Sequence, residues 1–104
     1  MPSPSRGEVW LVDLGLAAKV RPCLVLSVPV TEADRTLATL VPHTTSTRGS
    51  CFEVHADAKF LRAGAFDVQN LVTIPTVKLL RKLGQLSASD LRSIEIAVRA
   101  WLGL

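Results

Sequence analysis

Two short stretches hold the side chains best suited to chemistry. In VRPCLVLS (residues 20–27), Arg21 stands directly before Pro22, at the lip of an apolar run. Further on, residues 44–48 read Thr-Thr-Ser-Thr-Arg, the most polar part of the chain, and Lys19 lies just before the arginine. Guanidinium groups bind two oxygens of a phosphate in a planar fork, and hydroxyls donate single bonds to the same oxygens. Arg21, Lys19 and the hydroxyl loop are therefore ligands for a phosphoryl group. Pro22 adds stiffness, because the residue before a proline is forced into an extended conformation. An arginine at an exposed strand end and a solvated turn with local hydroxyl-to-backbone bonds are the competing structural readings.

Other chemistries have little support. The two histidines, His43 and His55, have no acidic or thiol residue at ligand spacing, so no metal is expected. Neither glycine-rich phosphate cradle occurs, nor Gly-x-Ser-x-Gly, and no cofactor is implied. Cys23 and Cys51 are too few for a disulfide framework, and both read as buried free thiols.

The 104 residues fit one domain, 1–104, with residues 1–5 frayed. A composition 48% hydrophobic and 20% charged is that of a folded globular chain. No run is long and apolar enough for a membrane span, and no signal peptide is visible, which predicts a cytoplasmic protein. The formal charge of +3 is compatible with a polyanionic partner.

The elements that must position Arg21 and the loop can be read in order. Strands are expected at 7–14, at 21–30 with Pro29 marking a bulge or edge, and at 36–43. Residues 15–20 form a connecting loop. If the second and third strands pair as a hairpin, Arg21 sits beside Thr44. Alternation of Phe52, Val54 and Ala56 predicts a strand over 51–56, and 63–74 gives one or two more. Residues 76–84 predict a short helix stopped by Gly84. A final helix starts at Ser87 as N-cap, carries Leu91, Ile94, Val98 and Trp101 on one face, and ends at Gly103. The sum is a mainly β, α+β chain: a small, strongly bent antiparallel sheet or barrel covered by a C-terminal α-helix.

Four of these stretches in order, RGEVWLVDL, RPCLVLS, VPHTTSTRGSCFEV and the LGQLS…LGL tail, resemble the MazF/PemK (Kid) toxins of type II toxin–antitoxin systems over residues 6–104. The resemblance implies an SH3-like small antiparallel β-barrel acting as a homodimer. It implies a metal-independent endoribonuclease on single-stranded RNA, often mRNA, restrained by a cognate acidic antitoxin. Arg21 falls on the family's catalytic arginine and Thr44 on its second catalytic residue. The aligned chemistry is attack of the ribose 2′-OH on its own 3′-phosphate, leaving 2′,3′-cyclic phosphate and 5′-OH ends. Lys19, His43, Thr45, Ser46, Arg48 and Gln69 are the expected RNA contacts. His43 is also an alternative base, although strand alternation points it away from Thr44. Two departures stand out: the loop before Arg21-Pro22 is short, and Val68 replaces the acid that many members carry before the Gln69 position. Asp67 is adjacent, but alternation turns it the other way. A non-catalytic protein-binding module on the same barrel is the alternative, since toxins of a related fold poison topoisomerases by binding alone. A plain nucleic-acid-binding barrel would need more stacking aromatics than two Trp and three Phe.

Overall fold

In β1 (Glu8–Asp13), β2 (Val20–Val25) and β3 (Leu37–Thr44), successive side chains go to opposite sides of one antiparallel sheet, and both sides are apolar. Val9, Leu24 and Val41 enter one cluster, and Val12, Cys23, Val25 and Leu40 the other. Strands buried on two faces read as continuous hydrophobic runs, which is why 20–27 is so apolar. The computed structural model describes residues 3–15 and 19–104. Residues 16–18, within the expected loop 15–20, and residues 1–2 of the expected frayed terminus lie outside the described residues.

The remaining strands are β4 (Glu53–Val54), β5 (Ala65–Asp67), β6 (Val72–Pro75) and β7 (Leu79–Gln85). The sheet runs β4-β5-β3-β2-β1-β7, with β6 also on β3. One edge of β3 serves two partners: Leu37–Leu40 pair with β6, and His43–Thr44 with β5. Register shifts in the β1–β7 ladder, between Val9 and Trp10 and between Leu11 and Val12, bend that side of the sheet. The result is barrel-like but not closed, since the path ends at β4 and β7.

Helix α1 (Ala88–Leu102) covers the first cluster. Ser87 caps it, its Oγ accepting from the Asp90 N–H at 3.1 Å, and Gly103 closes it at φ 72°. Ile94, Ala97 and Val98 bury against Phe66 and Val68, while Trp101, still 42% exposed, lays its ring 5.3 Å from that of Phe52. Truncating the fully buried Ile94 to alanine costs about 2–5 kcal/mol.

Three expectations fail. Residues 76–84 are not a helix but a 3-10 turn (Thr76–Lys78) followed by β7. A nine-residue helix is marginal, whereas pairing with β1 satisfies a whole edge of backbone groups. Gly84 is small for a packing reason, since a Cβ there would come within 2.4 Å of the Phe60 ring. The second strand stops at Val25, and Pro29 lies in the loop beyond it rather than at a bulge. The strand expected at 51–56 shrinks to Glu53–Val54, which leaves Cys51 in a turn and exposed, while Cys23 is buried as expected. No helix of the described residues is long and apolar enough to cross a membrane.

Candidate active site

The β2–β3 register pairs Cys23 with Pro42, and two residues further along each strand stand Arg21 and Thr44. Both line a cavity of about 400 Å³, together with His43, Asp67 and Asn70. A second cavity, of about 540 Å³, lies on the other side of Arg21 and His43. Its walls carry Lys19, Arg21, Arg62 and Arg81, with Thr45 and, among the described residues, no carboxylate. Arg21 and His43 thus form the partition between two compartments of different charge.

Local chain chemistry holds each piece. Lys19 has φ 56°, a left-handed conformation, in a turn where the Leu14 N–H meets its carbonyl at 2.8 Å. Asp13 Oδ1 accepts from the Gly15 N–H at 2.9 Å and tightens the same turn. After β3, the Ser46 N–H donates to Thr44 Oγ1 at 3.0 Å. The Thr44 hydroxyl reaches the Ser46 carbonyl only at 3.5 Å, too long to commit its proton, so it can still donate to a ligand. Gly64 presses from behind: a Cβ on it would lie 2.1 Å from the Thr44 carbonyl oxygen and 2.9 Å from His43 Cε1.

His43 is only 4% exposed and stands edge-on to Phe66, with ring centroids 5.1 Å apart. Burial, aided by the charge of His55, holds its pKa below the ordinary histidine value, so the ring is neutral at neutral pH. Behind the partition, burial pushes the Cys23 thiol up to about 12 against the opposing pull of Arg21, which leaves it an unreactive thiol.

Of the residues expected at the site, Lys19, Arg21, His43, Thr44 and Thr45 gather around the two cavities, and Ser46 supports Thr44 through its backbone. His43 and Thr44 line the same cavity despite strand alternation, because β3 ends there and the cavity wraps its end. Arg48 is exposed, and its backbone is already engaged: the N–H groups of Arg48, Gly49 and Ser50 all donate to the Glu53 carboxylate, at 2.7–3.1 Å. These bonds, with that of Arg48 foremost, outweigh desolvation and hold the Glu53 carboxyl below its ordinary pKa. Gln69 is exposed in a 3-10 turn (Val68–Asn70), and Asp67 at the end of β5 and Asn70 in the turn, not Gln69, line the first cavity. Asp67 lines the cavity from the last position of β5, against the expectation that alternation turns it away, because the cavity lies on the side of the strand opposite the buried Phe66 and Val68. Arg62 and Arg81 escaped the sequence reading because Arg62 lies in a loop and Arg81 in the segment read as a helix. Among the described residues no group of three His, Cys, Asp or Glu side chains could hold a metal ion.

Fold and site together define a small bent-sheet β domain with a cation-lined cleft at the open end of its central hairpin. Residues 5–102 match the family described as PemK-like, MazF-like toxin of type II toxin-antitoxin system, and the chain belongs to that family. Among solved structures it is similar to a mycobacterial endoribonuclease in complex with its cognate antitoxin, at 26% identity and a TM-score of 0.84 over 98% of this chain and 97% of that one. It is also similar to the Mycobacterium tuberculosis toxin MazF-mt6, at 29% identity and a TM-score of 0.78 over 93% and 97%. MazF from Deinococcus radiodurans, 24% identical over the whole of both chains with a TM-score of 0.83, shares the fold.

Proposed function

We propose that this toxin is a metal-independent endoribonuclease that cuts single-stranded RNA, mRNA in particular, at Arg21 and Thr44. The observation that carries the reading is the placement of both residues on one cavity, next to a compartment walled by Lys19, Arg62 and Arg81. In-line attack of a ribose 2′-OH on its own phosphate builds negative charge on the phosphorane oxygens. Arg21 is always charged and offers a bidentate fork to those oxygens, and the Thr44 hydroxyl donates to them. The 2′-OH gives up its proton to solvent and its oxygen bonds to phosphorus as the 5′-oxygen of the next nucleotide leaves and takes a proton from solvent, giving 2′,3′-cyclic phosphate and 5′-OH ends. DNA has no such nucleophile and is left intact.

The cationic compartment takes the flanking phosphates through Lys19, Arg62 and Arg81, and Thr45 adds a hydroxyl. His43, uncharged, walls both compartments. The similar mycobacterial endoribonuclease is found with its antitoxin. An acidic antitoxin segment that folds onto the compartment walled by Lys19, Arg62 and Arg81 would exclude RNA from it. Exposed Val77 in the 3-10 turn and Leu80 on β7, with Ile96 and Trp101 on α1, supply apolar surface for a homodimer. The chain acts in the cytoplasm, where mRNA is found.

The test is incubation of the purified protein with mixed single-stranded RNA in EDTA, mapping cut sites and end groups. Cleavage to 5′-OH ends that Arg21→Ala abolishes, with folding intact, is the expected result. No cleavage by the folded wild type, or near-wild-type cleavage by Arg21→Ala, refutes the reading and favours a binding module.

A further inference from the structure

The two compartments that meet at Arg21 differ in a way that assigns them different parts of a nucleotide. Among the described residues the cationic one has no carboxylate on its walls. The other adds Asp67 and Asn70 to the Arg21–Thr44 wall, and its remaining lining includes the apolar Leu14, Val72 and Ile74. The Arg21–Thr44 wall takes the scissile phosphate, but a second phosphate beside Asp67 would be repelled, whereas a flat, uncharged ring covered by aliphatic side chains fits there.

The polar pair in this compartment is fixed. Asn70 Nδ2 donates to Asp67 Oδ2 at 2.5 Å, and the Leu71 N–H closes the turn on the Val68 carbonyl at 3.2 Å. A carboxylate only accepts hydrogen bonds, so the asparagine must turn its nitrogen toward Asp67. The atoms left for a ligand are then Asp67 Oδ1 and Asn70 Oδ1, both acceptors, and one amide hydrogen. Such a pair favours a base edge rich in N–H donors. Guanine presents two neighbouring donors, N1–H and the 2-amino group. Adenine and cytosine present one amino group. Uracil offers a single N–H flanked by two carbonyls that a carboxylate repels.

We infer that Asp67 and Asn70 form a base-reading subsite, which seats one nucleobase next to the scissile phosphate and prefers guanine to adenine or cytosine, with uracil last. The inference rests on the ribonuclease reading above and adds to it the determinant of sequence choice at one position. Asp67 and Asn70 act here on the base and not on the reacting atoms.

The experiment uses RNA randomised around the cut, with sequencing of the 5′-OH ends. The wild type should enrich guanine and deplete uracil at one position adjoining the cut. Asp67→Asn, nearly isosteric, should lower that preference by about tenfold or more while leaving preferences elsewhere unchanged. Asn70→Ala, which frees the carboxylate, should weaken it in the same position. Uracil favoured on both sides of the cut, or variants that slow every sequence equally, overturns the subsite. Binding of a 2′-O-methylated random library, which cannot be cleaved, separates this inference from the ribonuclease reading. If the wild type binds guanine-containing sequences and Asp67→Asn does not, the subsite stands even without cleavage. Identical selection by both proteins overturns it.

Discussion

Gly64 offers the sharpest perturbation of the site without touching a polar group. A methyl in place of its hydrogen would sit 2.1 Å from the Thr44 carbonyl oxygen, 3.0 Å from the Thr44 carbonyl carbon and 2.9 Å from His43 Cε1. The first distance falls short of ordinary contact by about 1 Å. Two of the three obstructing atoms are backbone, so rotamer changes cannot relieve the clash, and either Thr44 or the Gly64 segment must move. Overpacking of this kind costs about 1–3 kcal/mol of stability, which leaves a domain of ordinary stability mostly folded. A displacement of about 1 Å at a positioned hydroxyl is worth up to ~10²-fold in rate. Gly64→Ala should therefore cut RNA about 10²-fold more slowly than wild type while remaining folded. Gly103→Ala is the matched control: its φ of 72° imposes a left-handed strain of roughly 1–2 kcal/mol, with nothing within 4 Å of the added carbon. Urea denaturation would establish that the two variants lose comparable stability, and single-turnover cleavage of a short RNA would give the rates. Wild-type cleavage by Gly64→Ala, or equal losses in both variants, would show that Gly64 does not position Thr44.

Three further outcomes follow from the local chemistry. The folded-state pKa of Glu53 lies below its unfolded value, so its clamp on residues 48–50 is complete above the ordinary carboxylate pKa and is lost as pH falls through the lower folded value. The amide proton shifts of Arg48, Gly49 and Ser50 should titrate together in that acidic window, and Glu53→Gln should remove the titration. In native buffer at neutral pH, maleimide should label Cys51 and spare Cys23, giving one adduct by mass; two adducts without denaturant would contradict the buried thiol. Ser87→Ala should lower stability by about 1 kcal/mol in urea, and Ser87→Asp should retain most of it.

The parts of this molecule legible in its sequence are those set by short-range rules. Apolar runs and the polar turn between them located β1, β2 and β3, and the hairpin they imply brought Arg21 near Thr44. Ser87 and Gly103 marked the ends of α1 because capping is decided within a few residues. Segment 79–85 was not legible in this way: Leu79-Leu80-Arg81-Lys82-Leu83 suits a helix or a strand, and the vacant edge of β1 makes the choice. The second half of the site was lost for a related reason. Arg62, Arg81, Asp67 and Asn70 belong to three separate segments, and only the folded sheet carries them to Arg21. No spacing rule connects them. Cys51 was misjudged for a different reason: its apolar neighbours in sequence suggested burial, whereas it sits in a turn and is exposed.

The packing of α1 has a bearing on biosynthesis. Phe66 and Val68, which flank Asp67 in sequence, are buried against Ile94, Ala97 and Val98 of the helix. The helix is translated after every strand, so the rim holding Asp67 and Asn70, although paired to β3 and β4 through β5, lacks its apolar cover until residues 88–102 have left the ribosome. A nascent chain halted before that point carries Arg21 and Thr44 but not the finished cleft around them. Completion of the cleft is thereby tied to the last element to be made, and chains that stop before residue 88 should hold Arg21 and Thr44 on a sheet whose Phe66–Val68 face is uncovered.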